Sequence, residues 1–228
     1  MPTRNINLTP GLVLRRWIII SKTLNLSEPM CPQKISPKYD TSKLLEPTLE
    51  NYIDVYENQI NGWYLDYAKQ MHSDEHAGFA ALQIVFSYFE GHAVFYRGED
   101  SKGKSKLFFR DAFLSVFPEL RAYEITEELL DRIVSALYED GRCGFFHAGL
   151  ARKRFMLHDG DPIVRIGVDP TQQDVAFILL DRRKFVDRVC QHFEAYIARL
   201  RNPAETKLRI NFEKGLRLLY GPDMLLSK

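Results

Sequence analysis

The segment Arg142-Cys143-Gly144-Phe145-Phe146-His147 holds the two side chains best suited to work on a phosphodiester. An arginine offers two phosphate oxygens a planar fork of donors, and a histidine exchanges a proton near neutral pH. Five helical steps separate the two and turn the side chains about 140° apart, so an ideal helix does not put them on one face. Gly141, Gly144 and Gly149 loosen the helix end that carries them. Between residues 142 and 165 the cations Arg142, Arg152, Lys153, Arg154 and Arg165 outnumber the acids Asp159 and Asp161. Such a local excess would attract a polyanion, although cations on a hairpin are commonly its solvated face and a histidine at a helix end is favoured by the dipole.

Helices must position this segment. Leu49, Ile53, Tyr56, Ile60, Trp63, Tyr67 and Met71 recur three or four apart and predict one apolar stripe, with Asn61-Gly62 bending its middle. Asp74 caps a second helix to about Tyr96, apolar almost all round as a central helix must be, with Glu90 and His92 as polar exceptions. A third helix, Leu107 to Phe117, stops at Pro118. Thr126, followed by Glu127 and Glu128, opens a fourth, which buries Leu129, Ile133, Val134, Leu137 and Tyr138 and runs directly into Arg142. The period then changes to two. Residues 154–158 and 163–168 read as a β-hairpin through Asp159-Gly160-Asp161-Pro162, with 175–180 as a third strand. Asp181 caps a long helix ended by Asn202-Pro203, and an amphipathic helix over 205–219 closes the pattern. The fold class is therefore mainly α: a helical bundle over 49–228 with a short antiparallel sheet inserted at 153–180, after the fourth helix. Residues 1–48 read as a basic leader, faintly like a transit peptide, and a poorly ordered linker containing Pro29, Pro32, Pro37 and Pro47.

The helix Leu129 to Tyr138 followed by Arg142-Cys-Gly-Phe-Phe-His-Ala-Gly149 resembles the HEPN superfamily (higher eukaryotes and prokaryotes nucleotide-binding), whose hallmark is Arg, four to six residues, then His. Phe86-Ser-Tyr-Phe-Glu90, the loop Gly98 to Ser105, Phe108-Phe109 and Tyr196-Ile-Ala-Arg-Leu-Arg-Asn-Pro203 also look like bacterial members, many of toxin–antitoxin or other defence contexts. The resemblance covers roughly residues 49–220. It implies a HEPN-like bundle and metal-independent RNA cleavage, with Arg142 and His147 as catalytic residues on RNA, paired across a homodimer. It also implies an antitoxin or regulatory partner. Glu90 is a candidate supporting carboxylate. Cys143 departs from the pattern, standing where active members often carry Asn, Asp or His, and a thiol is a weaker hydrogen-bond partner. A non-catalytic HEPN-like dimerisation or interaction module is the alternative.

Other patterns are weaker. Gly98-Glu-Asp-Ser-Lys-Gly-Lys104-Ser105 matches the P-loop expression, and Ala176 to Asp181 resembles a Walker B run, but a P-loop needs a strand leading in. His72 and His76 flank Asp74-Glu75 in an order unlike the zinc-protease motif, while His158 and His192 join no constellation. No cofactor or metal is expected. Cys31, Cys143 and Cys190 lie far apart, which suits a reducing compartment and a cytoplasmic protein. With 31 Lys and Arg against 30 Asp and Glu, global charge selects neither nucleic acid nor a membrane surface. The apolar run Leu12 to Ile20 is split by Arg15-Arg16 and is too short to span a bilayer, so no membrane partner is expected.

Overall fold

A computed structural model describes residues 33–121, 125–152, 154–169, 171 and 174–221. The leader, Cys31 and Lys153 lie outside the described residues. The fold is mainly helical with a small mixed sheet. No helix of the described residues is long and apolar enough to cross a membrane.

Helix α1 (Leu49–Ile60) starts at Thr48, whose hydroxyl accepts from the Asn51 backbone while the Asn51 amide oxygen accepts from the Thr48 N–H. This reciprocal capping satisfies donors that a bare helix end leaves unpaired. At Asn61–Leu65 the helix widens into a π-turn before resuming as α2 (Asp66–Gln70). The extra residue shifts the buried phase by one position. Leu65 and Ala68 enter the core, whereas Trp63 and Tyr67, assigned to the apolar stripe from sequence, are exposed. Residues 33–48, expected as an extended linker, instead form turns docked on α1. Asp40 caps the 3-10 turn Thr41–Leu44, Lys38 N–H donates to Asn58 Oδ1 at 2.7 Å, and Gln59 Nε2 donates to the Ile35 carbonyl at 2.7 Å.

Helix α3 (Gly78–Arg97) is the centre of the molecule. Leu82, Val85, Phe86 and Phe89 are fully buried, and α3 packs on α4 (Ser105–Val116), α7 (Arg182–Arg201) and α8 (Thr206–Tyr220). The Phe86 ring touches those of Phe89, Phe109, Phe145, Phe155 and Phe185 at centroid separations of 5.6–6.0 Å, so one side chain joins four helices and the sheet. Gly98 ends α3 at φ 65°, and a Cβ there would stand 2.9 Å from the Asn211 backbone of α8. Both the left-handed conformation and the close approach require glycine. Helix α5 (Glu127–Ala136) is capped by the Thr126 hydroxyl, widens into a second π-turn at Leu137–Arg142 and continues as α6 (Cys143–Ala148).

The sheet corrects the expected antiparallel hairpin. Strands β1 (Phe155–His158), β2 (Val164–Asp169) and β3 (Asp174–Asp181) are ordered β1-β3-β2, with β1 parallel and β2 antiparallel to β3. The hairpin is β2–β3, and β3 separates the two strands that sequence pairing would have joined. Strand β3 is the longest and buries Val175, Ile178 and Leu180, so the middle position satisfies both of its backbone edges. Asp181 locks this order. Its carboxylate accepts from Gly160 N–H in the β1–β2 loop at 2.7 Å and from Lys184 N–H at the start of α7 at 2.9 Å. Burial raises the Asp181 pKa, but these backbone donors outweigh it and hold the group below its ordinary value.

The buried His92 meets the half-buried His192 at a centroid separation of 4.8 Å. Burial holds His92 well below the ordinary histidine pKa, and burial takes His192 down to about 4. Both therefore fold as neutral rings. Because the folded values lie below the unfolded one, their contribution is complete above about pH 6.5 and is lost as pH falls through that value towards the folded pKa. The urea midpoint is expected to fall from about pH 7 to about pH 5, and less steeply in His92→Phe, as read by circular dichroism at each pH. Equal slopes in the two proteins would show that His92 does not carry the effect.

Candidate functional site

Tyr138, Arg142 and Phe146 follow at intervals of four through the π-turn and α6, which places their side chains along one face. The Arg142 guanidinium lies 5.7 Å from the Tyr138 ring centroid and 4.6 Å from that of Phe146. Its Nη2 donates to Glu90 Oε2 of α3 at 3.0 Å, and Ser101 Oγ donates to the other oxygen of Glu90 at 2.9 Å. Arg142 and Glu90 are both partly buried, with side-chain exposures of 23% and 19%. Among the described residues, Nη1 and Nε of Arg142 have no hydrogen-bond partner. The guanidinium is therefore oriented by one carboxylate and two rings while part of its fork stays uncommitted. Such a group suits a phosphate or a second carboxylate.

Close approach at the two glycines makes this placement possible. A Cβ on Gly141 would stand 2.9 Å from the Phe86 ring, and one on Gly144 would stand 2.8 Å from the Leu150 carbonyl. The segment therefore lies directly on α3, within reach of Glu90. Tyr138 sits beside Cys143, and first burial, then Cys143, raises its hydroxyl above the ordinary tyrosine pKa.

His147 is exposed at the far end of α6 and has no hydrogen-bond or ion-pair partner among the described residues. It is not on the Tyr138–Arg142–Phe146 face, as five α-helical steps require. The structure brings Glu90 to Arg142 and leaves His147 apart. The basic set also divides. Arg154 donates to Asp140 at 2.7 Å and to the Val175 carbonyl at 3.3 Å, and lies 3.6 Å from Asp174, so it holds β3 against the helix end. Arg165 is exposed and donates to the Asp161 carbonyl, and Arg152 is exposed while its backbone N–H donates to the Asp140 carbonyl.

Sequence reasoning missed Ser101, Tyr138 and Phe146 as members of this cluster. The four-residue spacing around Arg142 was the available signal for the rings; for Ser101 there was none beyond its place in the glycine loop. That loop joins α3 to α4, so a 20-residue helix precedes it where a P-loop needs a strand. His72 faces Asp187 at 4.0 Å, while the exposed His76 pairs with Glu75, so the two do not converge. Cys190 is buried, and burial raises its thiol to about 11.

Beside the cluster lies a cavity of about 760 Å³, walled by Ile60, Trp63 and Tyr64 from the first π-turn region, Ile84 of α3, Phe146 of α6 and Tyr220 of α8, among others. Phe146 thus has Arg142 against its ring and also forms part of this wall.

No protein-family model matches the chain, and neither a curated protein nor a solved structure matches it.

The Glu90–Arg142 pair is directly testable. A double-mutant cycle of Glu90→Gln and Arg142→Ala, measured by urea unfolding, is expected to give a coupling of about 1 kcal/mol. Strict additivity would show that the two side chains do not depend on one another.

Proposed function

We propose that the chain is a HEPN-like, metal-independent endoribonuclease or RNA-binding effector that works as a homodimer, with Arg142 and His147 at its site. The observation that carries this reading is the guanidinium of Arg142, held by Glu90 between two rings, with an exposed histidine five residues on. In the reaction, a ribose 2′-oxygen forms a bond to the adjacent phosphorus and the bond to the 5′-oxygen breaks. The products are a 2′,3′-cyclic phosphate and a 5′-hydroxyl. Arg142 stabilises the charge that builds on the phosphoryl oxygens, and His147 moves the proton. Within one protomer, five steps of an ideal helix would turn the two side chains about 140° apart, which suits them poorly to one phosphorus atom. A two-fold arrangement answers this by setting Arg142 of one copy beside His147 of the other. Two histidines at one site would also supply both a base for the 2′-hydroxyl and an acid for the leaving oxygen. The defence setting implied by the resemblance would add an antitoxin or regulatory partner.

A second reading, a non-catalytic HEPN-like interaction module, is favoured by the fact that Arg142 already pairs with Glu90 at 3.0 Å and is partly buried. The two readings part on one experiment. End-labelled RNA is incubated in EDTA with wild type, Arg142→Ala and His147→Ala, each checked for equal folding and association. Cleavage by wild type, leaving cyclic phosphate ends and lowered about 100-fold or more in both variants, is the expected outcome. No cleavage of varied RNAs, or equal cleavage by all three, would give the interaction module the better claim.

A further inference from the structure

The cavity beside Phe146 lacks a cover among the described residues. Trp63, Tyr64, Phe146 and Leu219 at its wall are 45–53% exposed, far more apolar surface in one place than isolated exposed side chains provide. Several of its polar groups are committed to the fold already. Ser87 Oγ donates to the Ile84 carbonyl, Gln59 Nε2 to the Ile35 carbonyl, and the Tyr220 hydroxyl to Gln59 Oε1. A wall built mainly of apolar and aromatic side chains such as Ile60, Trp63, Leu65, Ile84, Phe95 and Phe146 suits apolar side chains better than a nucleobase or sugar, whose polar edges would be left largely unpaired.

The chain itself leads to this place. Ile35 is hydrogen-bonded to Gln59, a residue of the cavity wall, and Pro37 packs on Gly62, where a Cβ would stand 2.6 Å from its ring. Upstream, the sequence reads Leu12-Val-Leu-Arg-Arg-Trp-Ile-Ile-Ile20, and twelve residues lie between Ile20 and Gln33. Twelve residues reach at most about 40 Å, enough to double back from Gln33 to the cavity. Large apolar side chains such as Trp17 and Ile18 to Ile20 are costly to leave in water, at roughly 1.5–3 kcal/mol each.

We propose that residues 12–20 of the same chain dock in this cavity, covering Trp63, Tyr64 and Phe146.

The two tryptophans of the chain, Trp17 and Trp63, allow a test in the full-length protein. In Trp63→Phe the fluorescence comes from Trp17 alone. Blue-shifted emission, shielded from acrylamide and independent of protein concentration, is expected. A second substitution at the wall, Ile84→Arg, is expected to shift that emission to the red, with circular dichroism unchanged. Red, fully quenched Trp17 emission in Trp63→Phe would overturn the proposal, as would a blue shift indifferent to Ile84→Arg. A blue shift that appears only as concentration rises would also overturn it, assigning the cavity to a second copy. Because emission reports docking rather than cleavage, the result is independent of ribonuclease activity.

Discussion

A helix that is apolar around its whole circumference can persist in water only if it is surrounded, and α3 imposes this demand on the rest of the chain. Its sides are taken by α4, α7 and α8, while Phe145, Phe155 and Phe185 bring in α6, the sheet and α7 through contacts to Phe86. The small sheet is part of that enclosure. Strand β3 passes straight into α7 at Asp181, so the order of the strands and the placing of a core helix are fixed by one carboxylate. The polar residues of α3 acquire their meaning from the same enclosure. His92 is forced to remain neutral, whereas Glu90, about two turns before the helix end, accepts hydrogen bonds from Arg142 and Ser101.

Two π-turns do the local shaping. An α-helix repeats a face every three or four residues, and one inserted residue rotates everything beyond it. The first insertion puts Leu65 and Ala68 into the core and leaves Trp63 and Tyr67, which the sequence pattern assigns to the core, facing solvent beside Tyr64. The second ends on Arg142 and delivers the arginine to Glu90. Both sides of the cavity therefore depend on departures from regular helix geometry.

This explains what was legible in the sequence. The helices, their caps at Thr126 and Asp181 and the change to period two could be read because each has a local cause in residue type. The phase of α1 beyond Asn61 and the order of the strands could not, since both depend on what the rest of the chain packs against them. The candidate site shows the same division. Arg142 and His147 were visible as residue types at a spacing, and their divergence follows from helix arithmetic. The pairing of Arg142 with Glu90 spans 52 positions and needs the fold to create it. Arg154 was grouped with the basic surface because sequence gives no sign that Asp140 would be buried beneath it.

The fate of Arg154 bears on how any polyanion could be held. Arginines elsewhere are similarly engaged: Arg110 with Glu127 and Asp131, Arg188 with Glu119, Arg199 with Glu205, Arg201 with Asp54 and Glu57, and Arg209 with Glu50. Attraction to a phosphate backbone grows with the number of cations free to displace its counterions, and among the described residues the exposed Lys102, next to Ser101 of the cluster, and the exposed Arg152 make no ion pair. Two copies related by a two-fold axis would double the positive charge facing one strand. The five-residue spacing of Arg142 and His147 along one helix makes a ribonuclease reading depend on association. A monomer with this surface would have a better claim as an interaction module.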